Sequence, residues 1–250
     1  MNKILISLLF VFISSVAAQD FNKVGTTGFV FLKFPVNARY AALGETGITL
    51  PDVHSEGIFM NPALIAAGDQ DLSFNLNYCN WYVETSHQAA GLTYRLPMIG
   101  TIGLSVINFD FGDIQKTRNP LPTETGSYVD LGTYSAGAYA LGFTYARMLT
   151  NQFSFGATLK YVRESIDAYY AQNVISDIGF LYYTGFRSLR IGAFLQNFGL
   201  DASYIDEKFK MPQQMKLGLS AELWGSRGQA NYVTTLVEVA HPNDVDEHLQ

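Results

Sequence analysis

Residues 138–162 read AYALGFTYARMLTNQFSFGATLKYV, two alternating segments that meet at a short polar turn. One face of the first segment carries large apolar side chains: Tyr139, Leu141, Phe143 and Tyr145. Its other face carries small ones: Ala138, Ala140, Gly142, Thr144 and Ala146. In the second segment Phe153, Phe155, Ala157, Leu159 and Tyr161 oppose Ser154, Gly156, Thr158, Lys160 and Val162. Because successive side chains of a strand point to opposite faces, the stretch predicts two antiparallel strands, each with one apolar face and one mixed face.

The same pattern recurs from residue 70 onward and predicts nine strands. They cover residues 70–78, 82–96, 100–109, 133–148, 153–163, 172–184, 189–199, 213–225 and 229–240. Short turns at residues 97–99, 149–152, 185–188 and 226–228 alternate with longer polar connections at 110–132, 164–171, 200–212 and 241–250. Short turns at one end and longer loops at the other are typical of outer-membrane barrels. We therefore predict an all-β, antiparallel transmembrane β-barrel over residues 70–250.

Six charged residues in the middle of the predicted strands fall on the mixed face, whereas Glu84, Arg147 and Arg163, which lie at strand ends, break this parity. The six are Arg95, Lys160, Asp177, Arg190, Lys216 and Glu222. An Arg or Lys that faces lipid at mid-membrane costs about 2 to 4 kcal/mol. The placement of these charges on the mixed face therefore predicts lipid on the apolar side and a lumen on the mixed side. Phe194 and Trp224 are predicted to line the lumen as well. The charges either bind a solute or form ion pairs that fill the barrel, and a soluble β-sandwich, which also buries one face of each strand, remains the alternative fold.

The beginning of the chain predicts export. Lys3, an apolar run over residues 4–13 and the small residues before Gln19 have the layout of a cleavable signal peptide over residues 1–18. The 15 Tyr, 18 Phe and 22 Gly residues with only 15% charged residues suit a barrel with aromatic belts, and the formal net charge of −6 argues against nucleic acid as a partner. The four histidines lie in no GxSxG or HExxH setting, and the chain has one cysteine. We therefore expect no enzyme activity, metal site or cofactor.

Residues 19–69 precede the first strand and lack the alternating pattern. Asn61 as an N-cap, Pro62 at the first helical position and Gly68 as a stop predict a short helix over residues 61–67. A short helix ahead of a barrel suits a hatch that lies in the lumen. A loosely packed periplasmic extension is the alternative.

Several motifs resemble the N-terminal signature of the PorV/PorQ family of outer-membrane proteins. They are GTTGF at residues 25–29, FLK at 31–33, ARYAALG at 38–44, NPAL at 61–64, GLSV at 103–106 and FDFGDI at 109–114. The chain departs from the pattern at residues 45–46, where a second glycine is expected, and at Leu64, a glycine in many relatives. The hatch motif in this chain comprises Arg39, Leu43, Gly44, Asn61, Pro62, Ala63 and Leu64.

This resemblance implies a branch of the long-chain fatty-acid transporter superfamily, whose barrels have 14 strands behind an N-terminal hatch. Nine strands would then be part of a barrel whose C-terminal strands are absent. The family implies an outer-membrane location and a role in type IX secretion, with secretion components or the C-terminal signal domains of cargo as partners. The wider superfamily implies instead a channel for hydrophobic small molecules.

Overall fold

The structure, a computed structural model, describes residues 25–50, 53–81, 83–123, 125–225, 229, 231–244 and 248–249. The expected signal peptide at residues 1–18, the first residues of the expected hatch and the expected turn at 226–228 lie outside these residues.

Nine strands of nine residues or more form one antiparallel sheet. They are β1 (Leu72–Asn80), β2 (Ser86–Leu96), β3 (Gly100–Arg118), β4 (Val129–Thr150), β5 (Phe153–Ile166), β6 (Tyr169–Tyr183), β7 (Arg190–Phe198), β10 (Gln214–Trp224) and β11 (Val233–Pro242). Each pairs with the next along this list, and the two-residue β12 (His248–Leu249) pairs with β11. The short strands β8 (Ala202–Tyr204) and β9 (Glu207–Phe209) form a separate hairpin. The predicted all-β antiparallel class and the nine long strands are confirmed.

The connections differ from the prediction at the end that was expected to carry loops. Strands β3 and β4 run on as a paired ribbon to Arg118 and Val129, so most of residues 110–132 is strand. Strands β5 and β6 are paired up to Ile166 and Tyr169, which leaves a two-residue turn where residues 164–171 were predicted to form a longer loop. The prediction of loops at residues 110–132 and 164–171 was wrong, because polar composition alone does not distinguish a loop from a solvated strand. Backbone pairing does not depend on polarity, and a two-stranded ribbon in water can carry polar side chains on both faces.

Strands β4 and β5 bury their small-residue face and expose large apolar side chains on the other. In β4 and β5, Ala138, Ala140, Thr144, Thr158 and Val162 are buried, whereas Leu141, Phe143 and Leu159 are 47%, 52% and 58% exposed. The predicted separation of faces is therefore confirmed in these two strands. We call the buried side of the sheet the inner face and the exposed apolar side the outer face.

The inner face curls around the described residues 25–50 and 53–69, which we call the N-terminal segment. The Ile48 amide contacts Glu238 on β11, and the Ser55 amide contacts Ser73 on β1. In a flat sheet, eight strand spacings would separate β1 from β11 by about 38 Å. Seven residues span at most about 25 Å when fully extended, and residues 47–50 and 54–56 are turned. The sheet must therefore bend around the segment.

The N-terminal segment consists of short helical turns. Two are α-helical, α1 (Ala38–Ala42) and α2 (Gly57–Met60), and three are 3-10 turns at Val30–Lys33, His54–Glu56 and Pro62–Ala67. Asn61 caps the last of these by accepting a hydrogen bond from the Ala63 amide. The turn at 62–67 is thus a 3-10 helix, and it ends at Gly68 in extended conformation, with φ −60°.

Candidate functional site

A row of glycines on the inner face seats the N-terminal segment. Strands β2, β3, β5, β6, β7 and β10 each contribute one: Gly91, Gly103, Gly156, Gly179, Gly192 and Gly218. A Cβ atom at any of them would come within 3.3 Å of an atom of residues 48–63. At Gly156 the obstacle is main chain, because a Cβ atom would lie 2.5 Å from the Ala63 nitrogen. The missing side chains therefore let the segment's backbone approach the inner face of the sheet, which we also call the wall.

Asn61 fixes the segment to itself and to the wall. Its Nδ2 atom donates to the carbonyl of Ile48 at 2.8 Å and to that of Phe180 on β6 at 3.2 Å, and the residue is fully buried. Pro62, Ala63 and Leu64 are buried behind it.

The other half of the predicted hatch motif faces outward. Arg39 and Leu43 are exposed, and Gly44 has open space around its Cα atom. Gly44 has φ +66°, a conformation that favours glycine. The structure therefore divides the motif into a buried part at residues 61–64 and an exposed part at residues 39, 43 and 44.

Two ion pairs cross the inner face between wall residues. Lys160 Nζ lies 2.8 Å from Asp177 Oδ2 and donates to Asn197 Oδ1 at 2.7 Å. Arg190 Nη2 lies 2.8 Å from Glu222 Oε1, and its Nε donates to the Ser220 hydroxyl at 3.0 Å. Both pairs have almost fully buried side chains. These four predicted lumen residues therefore neutralise one another in place.

A third pair of wall charges is divided by the N-terminal segment. Lys216 Nζ on β10 donates to the Tyr40 hydroxyl at 2.9 Å and to the Glu45 carbonyl at 3.2 Å. Glu238 on β11 accepts from the amides of Gly47 and Ile48 at 2.6 and 2.8 Å. Sequence reasoning missed Glu238, although it is a lone carboxylate in an alternating apolar strand, the same signal that identified Lys160 and Lys216.

Phe194 is buried on the inner face, whereas two other predicted lumen positions are exposed. Trp224 is 63% exposed because the pairing of β10 with β11 shifts by one residue between Glu222 and Trp224. Arg95 keeps the inward parity but is exposed at the end of β2, where it donates to the Gly68 carbonyl at 3.1 Å.

Phe198, placed on the face of Arg190 by simple alternation, is also exposed, at 61%. Asn197 has φ +58° beside a register shift in the pairing of β6 with β7, which reverses the parity after it. A bulge of this kind inserts one residue and flips every later side chain.

One cavity between the segment and the wall is small. It has a volume of about 30 Å³ and is lined by apolar side chains together with charged and polar ones, among them Tyr40, Glu45, Lys160, Asp177 and Lys216. That volume holds about one or two water molecules. The predicted lumen charges are thus occupied in ion pairs and hydrogen bonds of the protein.

A fourth contact anchors the start of the segment near the end of β11. Asp244 accepts from the Thr27 hydroxyl at 2.6 Å and from Lys33 Nζ at 2.9 and 3.0 Å. Burial raises the pKa of the Asp244 carboxyl, but these hydrogen bonds and the Lys33 charge outweigh burial and hold the pKa below its ordinary value. A carboxyl with a lowered pKa stabilises the fold above its unfolded-state pKa.

We therefore predict that the anchor weakens in acid. Its contribution should be complete above about pH 4, near the pKa of an unperturbed aspartate, and fall as the pH drops further. Amide hydrogen exchange of residues 25–33, corrected for intrinsic rates, should lose protection between pH 4 and pH 3. Asp244→Asn should give low protection at both pH values. Equal loss in the variant and the unmodified protein would contradict the assignment.

Within the described residues, no three His, Cys, Asp or Glu side chains cluster in a way that could hold a metal ion. None of the helices in the described part of the chain is long and apolar enough to span a membrane. Comparison with known proteins found no matching family model and no matching curated protein.

Proposed function

We propose that this chain is a non-enzymatic outer-membrane β-barrel protein of the PorV/PorQ type that serves type IX protein secretion by binding protein partners. The observation that carries the proposal is a sheet with its apolar face outside and its polar face filled by the protein's own N-terminal segment. The motif resemblance at residues 25–64 supplies the link to secretion.

The outer face supports a membrane location. Every long strand has exposed apolar side chains on the outer face, and most have them at alternate positions; they include Phe74, Leu76, Leu92, Leu104, Val106, Leu141, Phe143, Leu159, Val174, Ile191, Leu195, Leu217, Leu219, Val237 and Val239. Water-soluble monomers rarely expose an apolar patch larger than a few hundred Å². Backbone groups in hydrocarbon also need hydrogen-bond partners, so a curled sheet suits a closed barrel. In the fourteen-strand barrel that the resemblance implies, the edges of β1 and β12 would be paired.

The filled inner face favours partner binding over conduction. Wall charges pair with one another or with the segment, and the cavity between segment and wall holds about one or two waters. A solute cannot pass through such a space without displacement of the segment. The surfaces accessible to a partner are therefore the two mouths, where the β3–β4 ribbon and the other connections lie.

A second function, a channel for hydrophobic small molecules, has one observation in its favour. A groove of about 590 Å³ lies between Pro35–Ala41 of the segment and residues 76–81 along β1. Its wall includes the outward-facing Leu76 and Tyr78 and the inward-facing Asn77 and Cys79. A groove that reaches both faces of an edge strand could admit an apolar solute from the side.

The membrane part of the proposal predicts a large effect of charge at Leu159, near the middle of β5. Leu159→Arg should lower the free energy of unfolding by about 2 to 4 kcal/mol in lipid. Leu223→Arg is the matched control, because Leu223 is also an exposed outer-face leucine, at 73%, but lies at the end of β10. Its cost should be about 0 to 1 kcal/mol. Denaturant unfolding in bilayers measures both values, and equal small costs would favour a water-soluble sandwich.

The secretion part is tested by deleting the gene in its bacterium and comparing secreted proteins and growth on fatty acids or hydrocarbons. We expect loss of proteins that carry type IX C-terminal signals, unchanged growth on the hydrophobic substrates, and restoration by the unmodified gene. Normal secretion with impaired uptake of the hydrophobic substrates would establish the channel function instead.

A further inference from the structure

The pair Lys216 and Glu238 differs from the other wall charges, and the difference lies in the sheet register. Lys216 is opposite Ala240 and Glu238 is opposite Gly218, so the two charges occupy diagonal corners of one cross-strand square. Both side chains point to the inner face and are at most 1% exposed. Diagonal neighbours on one face lie about 7 to 8 Å apart, within reach of long side chains. The other two corners are small, so nothing in the wall keeps the charges apart.

The N-terminal segment stands between them instead. Lys216 binds the Tyr40 hydroxyl and the Glu45 carbonyl, and Glu238 binds the Gly47 and Ile48 amides. Among the described residues these two form no ion pair with each other, and the second oxygen of Glu238, Oε2, is buried without a partner. Lys160–Asp177 and Arg190–Glu222, in contrast, are closed pairs.

We infer that Lys216 and Glu238 form a two-state latch for residues 40–48. When the segment is seated, each charge holds one side of it. When the segment leaves the wall, the two side chains pair directly across the square. A buried charge without a partner is costly, and this alternative pairing prevents that cost in the unseated state. Residues 40–48 can thus leave the wall while Lys216 and Glu238 each have an oppositely charged partner.

The latch does not depend on the identity of the partner or solute, but its measurement in lipid rests on the proposed outer-membrane location. In the latch, Lys216 and Glu238 also stabilise the unseated state by pairing with each other, which static anchors do not do. Anchors that act only in the seated state would be additive, or coupled in favour of the seated state by the attraction between the two charges. A latch couples the two residues through a state in which they touch.

The test measures how often residues 40–48 leave the wall in the full chain, folded in outer-membrane lipid. Thr49→Cys supplies a probe, since Thr49 is fully buried and its hydroxyl has no partner among the described residues. Cys79→Ser removes the exposed native thiol from the background. The rate of maleimide labelling at position 49 then reports opening. Heat-modifiable migration confirms that each variant is folded.

Four proteins form the double-mutant cycle: the background, Lys216→Met, Glu238→Gln and the combined variant. The latch predicts that the background opens at least about fivefold more often than the three variants predict by additivity, because only it can pair in the open state. Lys160→Met with Asp177→Asn is the matched control, and its cycle should show no such excess of opening. Additive rates, or a coupling that favours the seated state, would overturn the inference.

A charge exchange provides a second measurement. The combined variant Lys216→Glu with Glu238→Lys keeps the direct pair but presents a cation to the Gly47 and Ile48 amides and an anion to the Glu45 carbonyl. It should therefore label about tenfold faster than the neutral Lys216→Met, Glu238→Gln protein. If the exchanged protein labels no faster than the neutral one, direct pairing in the open state is excluded.

Discussion

Replacing Gly156 by valine is expected to lower the free energy of unfolding by about 3 kcal/mol or more. Gly156 lies on the inner face of β5, where even a single added carbon would lie 2.5 Å from the Pro62 carbonyl oxygen and from the Ala63 nitrogen. The obstacle is backbone, held in place by the buried Asn61, so it cannot rotate aside as a side chain would. Overpacking in a filled core typically costs about 1 to 3 kcal/mol, and this site lies at the severe end of that range.

Gly137→Ala on β4 is the matched control. Gly137 is also a strand glycine, but a Cβ atom there would meet nothing closer than the Phe109 carbonyl at 3.6 Å. That substitution should leave stability unchanged or slightly improved, since glycine weakens a strand. Denaturant unfolding in lipid compares the two. A Gly156→Val protein as stable as the Gly137→Ala protein would show that the segment does not rest on the wall at residues 61–63.

Alternation along single strands was predictable from sequence because it depends only on local geometry. The faces of β4 and β5 followed from the side-chain period of two, which holds wherever a strand is regular. The same rule failed at Phe198 and Trp224, each of which follows a register shift. The shift in the pairing of β6 with β7 occurs beside Asn197, which has φ +58°. An alternating apolar sequence contains no signal that predicts such a residue.

The partners of the buried charges could not be predicted in the same way. Lys160 and Asp177 are identifiable as inner-face residues one by one, but their contact depends on the register of β5 with β6, which places Thr158 opposite Asp177. Lys160 and Asp177 are thus diagonal neighbours, a relation set by the hairpin turn at residues 167–168. The contacts of Lys216 and Glu238 depend on residues about 170 to 190 positions away, which no local pattern contains.

These charges suggest why the inner face is polar although it is filled. The segment presents backbone amides and carbonyls at residues 45–49, because its short turns leave them without helical partners. An apolar wall would leave those groups buried and unsatisfied, at a cost of about 1 to 3 kcal/mol each. Glu238, Lys216 and Ser220 satisfy them instead. The polar wall therefore follows from the irregular backbone that it encloses.

Asp177→Ala is expected to lower the free energy of unfolding by about 3 to 5 kcal/mol. The substitution leaves the buried Lys160 ammonium without its carboxylate at 2.8 Å, and it also removes the acceptor of the Asn197 amide, at 2.8 Å. Breaking a buried pair by removing one member is costly for this reason, whereas replacing both members by apolar residues is often close to neutral. Lys160→Met combined with Asp177→Leu should therefore be more stable than Asp177→Ala alone.

Lys116→Ala provides the exposed comparison, because Lys116 pairs with Asp167 but both side chains are at least 40% exposed. Exposed ion pairs contribute little to stability, so the free energy of unfolding of this variant should equal that of the unmodified protein within about 1 kcal/mol. Denaturant unfolding of the three variants in lipid, under one set of conditions, orders them. If Asp177→Ala were no worse than the Lys160→Met, Asp177→Leu protein, water must reach Lys160, and the inner face would then be hydrated at this level instead of closed by the N-terminal segment.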